Sequence, residues 1–214
     1  MSNPAYEIAR LDELERFDGE FATIPIRIPL GISAFGVNAY AAAEPGGQVI
    51  EEHDELGAGA GRHEELYLVL SGRARFTVAG EELDAPAGTL VFVRDPETRR
   101  AATAVDPQTT VLVVGATAGK AFEPSPWEAW LEALPFYTAK EYERARDVMA
   151  RALERHPDNP NVLYNLACCE ALVGRREDAL SHLARAAELD PRVATWARED
   201  SDLESIRGDD AFPG

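Results

Sequence analysis

No run of about 18 apolar residues occurs in the 214-residue chain, which excludes a membrane-spanning helix. The opening MSNPAYEIARLDELERF lacks the basic start and apolar stretch of a secretory leader, so a cytoplasmic location is expected. Cysteine is nearly absent. The two present, Cys168 and Cys169, are neighbours; they exclude a disulfide framework, fit a reducing compartment, and read as small residues on a helix rather than a redox pair. Basic residues are scarce too: 21 Lys and Arg against 38 Asp and Glu leave a net charge of −17. The acidity is spread, with 20 acidic and 10 basic residues in 1–125 and 18 and 11 in 126–214. Without a basic patch nothing tracks a phosphate backbone, so neither nucleic acid nor membrane is expected as a partner. A phosphate loop and a Gly-x-Ser-x-Gly elbow are also missing, and with them common signatures of nucleotide and acyl-transfer chemistry.

What is present divides into two halves with different periods. From Thr23 to Val114, short β-branched or aromatic runs (TIPIRIPL, FGVNAYAA, QVIEEH, LYLVL, ARFTVAG, TLVFVR, TTVLVVG) alternate with Gly, Pro and Asp, the pattern of an all-β sandwich or barrel. VAGEEL and LSGRA supply turns, and Pro86-Ala87-Gly88 makes a tight turn before an apolar strand. GKAFEPSPW reads as a linker. Beyond it the period becomes helical, in WEAWLEAL, EYERARDVMARALERH, NVLYNLACCEALVG and REDALSHLARAAEL. The expected organisation is a β domain with an N-terminal extension over 1–118, a linker over 119–126, and helices with a C-terminal cap over 127–214.

The helices repeat. Ala145, Ala152 and Pro157 recur 34 positions on as Ala179, Ala186 and Pro191, the period of paired-helix arrays. With Leu163, Asn165, Leu166, Gly174 and the closing Asp190-Pro191, PNVLYNLACCEALVGRREDALSHLARAAELDP closely resembles the tetratricopeptide repeat. The first unit carries Pro135 inside its first helix, and a partial third begins at Pro191. The resemblance implies a protein partner bound through the helices. Two and a fraction repeats bury their apolar faces incompletely, so the array is expected to pack on the β domain or on another copy, and a homodimer is expected.

The chemistry-bearing stretch is EEHDELGAGAGRHEELYLVLSG, which writes His-x-Glu twice around a Gly-Ala loop. Gly47-QVIEE-His53-Asp54-Glu55 and Glu65-LYLVLS-Gly72, together with Gly80-EELDA-Pro86-Ala87-Gly88, resemble the two motifs of the cupin family. The resemblance implies a jelly-roll barrel and places His53 and Glu65 on two of the four metal-ligand positions. Glu55 stands where the family has its second histidine, Val91 stands where it has its last, and the longer Gly-rich loop brings in His63. The fold class is therefore multi-domain α+β, an all-β cupin barrel followed by an all-α repeat array.

Residues two apart on a strand share a face, so His53 with Glu55 and His63 with Glu65 would converge as a mixed N/O set suited to Mn, Fe, Zn or Ni. Against this, buried carboxylates can be neutralised by arginine, with Arg73, Arg75, Arg94, Arg99 and Arg100 available. Counting inward adds Tyr67, Val91 and Val93 to the lining of an otherwise apolar interior able to take a small-molecule ligand. Two functions follow: a non-catalytic binding or dimerising barrel coupled to a protein-interaction surface, or a metal-dependent oxygenase or isomerase of a small organic substrate.

Overall fold

The structure is a computed structural model that describes residues 8–17 and 22–213. Among the described residues, no helix is long and apolar enough to cross a membrane. The chain divides into two compact units, 1–124 and 125–214.

Among the described residues of the first unit, nine strands form two antiparallel sheets. They are β1 (Ala22–Pro25), β2 (Gly36–Ala42), β3 (Gln48–His53), β4 (Glu64–Ser71), β5 (Arg73–Val78), β6 (Glu81–Pro86), β7 (Leu90–Val93), β8 (Arg100–Ala104) and β9 (Thr109–Ala116). One sheet runs β1-β2-β9-β4-β7 and the other β3-β8-β5-β6. Their inner faces share one core: Tyr67, Val69, Val93, Val111 and Val113 from the first meet Val49, Ile50, Phe76, Ala102 and Ala104 from the second. This is the expected two-sheet, jelly-roll-like architecture. VAGEEL forms the β5–β6 hairpin, with Ala79 and Gly80 both at positive φ, the twist that favours tight hairpins. Pro86-Ala87-Gly88 closes a turn in which the Thr89 N–H donates to the Pro86 carbonyl at 3.0 Å.

The second unit contains α1 (Glu128–Thr138), α2 (Tyr142–Arg155), α3 (Pro160–Leu172), α4 (Arg176–Leu189) and the short α5 (Arg192–Glu199). Helix α1 continues through Pro135. Asn159 caps α3, accepting from the Asn161 and Val162 N–H groups at 3.0 Å each, with Pro160 in the first turn where a missing N–H costs nothing. The 34-residue period has a steric meaning: Ala145, Ala152, Ala179 and Ala186 are all fully buried where neighbouring helices meet. After α5 the chain inserts Leu203 and Ile206 into the core between α3 and α4. Tyr164 and Tyr137 fasten this tail by donating to Asp200 (2.6 Å) and Asp202 (2.8 Å). Cys168 and Cys169 are free and buried; burial raises both thiols, Cys169 to about 12, which leaves them protonated and unreactive.

Glu170, almost fully buried on α3, accepts from the His182 ring of α4 at 2.8 Å. That hydrogen bond outweighs burial and raises the His182 pKa above its ordinary value. A raised folded-state pKa contributes stability that is fully present below the unfolded value near 6.5 and is lost as pH rises through the folded value. The second unit is therefore expected to lose urea resistance as pH rises above about 6.5. His182→Gln should flatten that slope. All three tryptophans lie in this unit, so their fluorescence reads it alone.

Candidate functional site

The site forms where the ends of β3, β4 and β8 meet. The alternation RRAATA sends Arg100, Ala102 and Ala104 inward and leaves Arg99 outside, so an arginine enters the barrel on the same face as two core alanines. Arg100 is 1% exposed and is the cross-strand partner of His53. On β4, Glu65 and Tyr67 point inward beside it.

The Glu65 carboxylate gathers most of the donors. Its Oε2 accepts from the Tyr67 hydroxyl, from Arg100 Nη2, and from Arg100 Nε at 3.2 Å. The same Arg100 Nε lies 3.1 Å from the Tyr67 oxygen, and Nη1 donates to the Thr98 carbonyl at 3.0 Å. His53 Nε2 stands 3.6 Å from Glu65 and 3.9 Å from Glu55, while its Nδ1 meets the Glu51 carbonyl at 2.7 Å. Burial alone would raise the Glu65 carboxyl; hydrogen bonding to His53 and the Arg100 charge instead hold it at about 2. Burial likewise opposes a charge on His53, but Glu65 and the Glu51 carbonyl prevail and its pKa is raised. Burial and the adjacent Glu65 raise Tyr67 and keep it a neutral donor.

Glu55 reaches the site by another route. Strand β3 ends at His53, yet Glu55 is 6% exposed because the Gly-rich loop folds back over it. Gly61 and His63 donate their N–H groups to Glu55 Oε2 at 2.9 and 3.2 Å, and the Arg62 N–H donates to the Glu55 carbonyl at 3.2 Å. The loop thus holds a carboxylate in place with backbone donors. Asp54 and Glu64 lie outside the cluster; Arg99 approaches Asp54 at 3.9 Å and Glu52 at 3.2 Å on the outer side.

Of the four sequence candidates, His53, Glu55 and Glu65 converge, with ligand atoms within 4.8 Å of one another. His63 does not join them. It is 4% exposed, its ring rests 5.5 Å from that of Phe122, and its Nε2 has no hydrogen-bond partner among the described residues. Phe122 lies in the segment expected as a linker and packs over Gly36, where a side chain would meet its ring at 3.4 Å. Tyr67 and Val93 are buried in the core, and Val91 sits opposite Tyr67, partly buried against it. Tyr67, expected as a lining aromatic, donates to Glu65, and of the five candidate arginines Arg100 enters the cluster. The inward register of Arg100 with Ala102 and Ala104 was the signal that singles it out.

A divalent ion bound at about 2.0–2.2 Å would need an open lone pair on each donor. Glu65 Oε2 is already the acceptor of three donors, Glu55 Oε2 of two, and the Arg100 guanidinium stands 3.9 Å from Glu55 Oε1. An added dication would meet that fixed positive charge. The three side chains form a candidate ligand group by distance; one oxygen of each carboxylate is already engaged, Arg100 brings a fixed positive charge into the group, and Arg100, with His53 when protonated, offsets the two carboxylates from within.

Residues 136–198 match the tetratricopeptide repeat model. Among solved structures the chain is similar to a cupin protein from Bacteroides fragilis (20% identity, 57% of this chain and 93% of that one, TM-score 0.41). It is also similar to a sugar phosphate isomerase of a cupin superfamily from Silicibacter pomeroyi (20%, 51% and 74%, TM-score 0.41). A third is an RmlC-like cupin from Shewanella frigidimarina (15%, 54% and 95%, TM-score 0.41). No curated protein matches the chain.

Proposed function

We propose that the barrel is a metal-independent binding and dimerising module, and that the tetratricopeptide-repeat helices bind a protein partner. The observation that carries this reading is Arg100: it is buried in the cluster, and both its Nε and Nη2 are spent on Glu65. A guanidinium supplies the positive charge that two buried carboxylates require, which removes the need for an ion. On the helical side, Trp196 of α5 is 41% exposed beside Tyr164, with Arg192 5.5 Å above its ring, an aromatic anchor of the kind that dominates protein interfaces.

One observation favours the second reading, a metal-dependent oxygenase or isomerase of a small organic substrate. His53 anchors Nδ1 on a backbone carbonyl and turns Nε2 toward two carboxylates, the orientation common in metal-bound histidines. Mn, Fe, Zn or Ni held there by His53, Glu55 and Glu65 would supply Lewis acidity. Thermal unfolding with each divalent ion added separates the two. Under the first reading the barrel midpoint does not move. Under the second it rises, because an ion that binds only the folded state stabilises it, and the rise disappears in His53→Ala/Glu65→Ala.

A further inference from the structure

We propose that the partner segment bound by the second unit is basic, and that its lysine or arginine side chain docks where Tyr137 of α1, Tyr164 of α3 and the Asp200–Asp202 turn converge. The proposal rests on the reading above that these helices bind a protein, and it names the chemistry of what they bind. Asp200 caps the end of α5 and Asp202 lies in the turn that follows. Both are partly buried. Tyr164 donates to Asp200 at 2.6 Å, the Cys168 thiol lies 3.6 Å from the same oxygen, and Tyr137 donates to Asp202 at 2.8 Å. Each tyrosine leans on a tryptophan: Tyr137 meets Trp130 with ring centroids 5.1 Å apart, and Tyr164 meets Trp196 at 6.0 Å. Two carboxylates are thus bracketed by four aromatic side chains, of which Trp196 is 41% exposed.

Charge selects the occupant. Elsewhere in this unit acids are matched by arginines, in the pairs Asp158–Arg185, Asp190–Arg192 and Asp209–Arg176. Asp200 and Asp202 form no ion pair among the described residues; their carboxylates meet two hydroxyls, a thiol and the Asp202 N–H. Arg207 gives its Nη2 to the Asp200 carbonyl at 2.6 Å rather than to the carboxylate. Neutral donors leave the charge of the pair uncompensated. Burial raises the Asp202 carboxyl above its ordinary value, and Asp200 beside it adds to that rise against the Tyr137 hydrogen bond. A carboxylate whose pKa is raised on folding opposes folding at neutral pH, so the charge is not there for stability. A partner's lysine or arginine would supply the missing charge, and tyrosine and tryptophan rings attract a cation over their faces. The chain makes one such contact itself, with the Arg192 guanidinium 5.5 Å above the Trp196 ring. An acidic segment would bring like charge to the pair and be repelled.

Fluorescence anisotropy of dye-labelled hexalysine, hexaglutamate and an uncharged Leu-Ser peptide tests this, with the full chain at roughly 0.15 M salt, where exposed charges are screened beyond about 8 Å. Hexalysine should bind and hexaglutamate should not. Asp200→Asn/Asp202→Asn keeps the hydrogen-bond acceptors, removes both charges, and should weaken hexalysine binding at least about ten-fold. Glu143→Gln/Glu154→Gln, which removes two exposed charges from α2, should bind as the wild type does. Tryptophan fluorescence in urea completes the experiment: the asparagine variant should be at least as stable as the wild type, because it loses a charge that burial disfavours. A marked loss of stability would make the two charges part of the tail's attachment and overturn the proposal. Equal weakening by the glutamine variant would overturn it as well, since hexalysine would then be drawn to acidic surface at large. Hexaglutamate or the uncharged peptide bound in place of hexalysine removes the basic class and leaves the reading of a protein partner standing. Binding of none of the three peptides overturns both.

Discussion

Replacing Arg100 with Met should destabilise the barrel by about 3–5 kcal/mol, the usual cost of stripping one partner from a buried ion pair. Total stability of a domain is about 5–15 kcal/mol, so the variant would sit near its unfolding threshold. The cost comes from what stays behind: Glu65 keeps the Tyr67 hydroxyl and His53 but loses the guanidinium, and Glu55 loses the positive charge 3.9 Å away. Arg100→Met/Glu65→Met should lose markedly less than Arg100→Met alone, because the second substitution removes the stranded charge. Since every tryptophan lies outside the barrel, the measurement should follow hydrogen exchange of β4 and β5 peptides across a denaturant series. A single variant as stable as the wild type, or a double variant that loses as much as the single, would show that Arg100 does not carry the charge balance of the site.

The second large effect belongs to Gly72. It ends the motif that begins at Glu65 and passes the chain from one sheet to the other at φ +70. A Cβ there would lie 2.8 Å from the Thr109 Cα, closer than real side chains come. Thr109 is fully buried, and its hydroxyl bonds the Asp106 carbonyl at 2.7 Å and the Arg73 N–H at 3.2 Å, so the obstacle is backbone tied in place. Gly72→Ala therefore combines a left-handed backbone penalty with overpacking, about 2–5 kcal/mol in sum. Gly80→Ala isolates the first contribution, since Gly80 has φ +83 and open space around it. Urea midpoints by hydrogen exchange should rank wild type above Gly80→Ala and Gly80→Ala well above Gly72→Ala. Equal losses at both glycines would refute the steric account.

Much of this fold was legible because its rules are short-range. Alternation fixed the strands, and the alanines at a 34-residue spacing identified helix contacts that later proved fully buried. The convergence of His53 and Glu65 followed from the motif on which both lie. The path of Glu55 did not, because the two-residue rule assumes a strand that continues, and β3 stops at His53. The loop's backbone N–H groups, which carry no sequence signature, help hold Glu55 inside. The position of His63 depends on Phe122, 59 residues away, a contact no local pattern encodes. Arg100 is one of five arginines the sequence offers as carboxylate partners, and the alternation that turns Ala102 and Ala104 inward is what distinguishes it from the other four.

Elemental analysis of the purified full chain tests the central claim most directly. If Arg100 supplies the cation for Glu55 and Glu65, protein from metal-supplemented growth should hold Mn, Fe, Zn and Ni far below one per chain, and a chelator should leave barrel hydrogen exchange unchanged. One tightly held ion per chain, lost in His53→Ala/Glu65→Ala and accompanied by faster exchange in chelator, would contradict it.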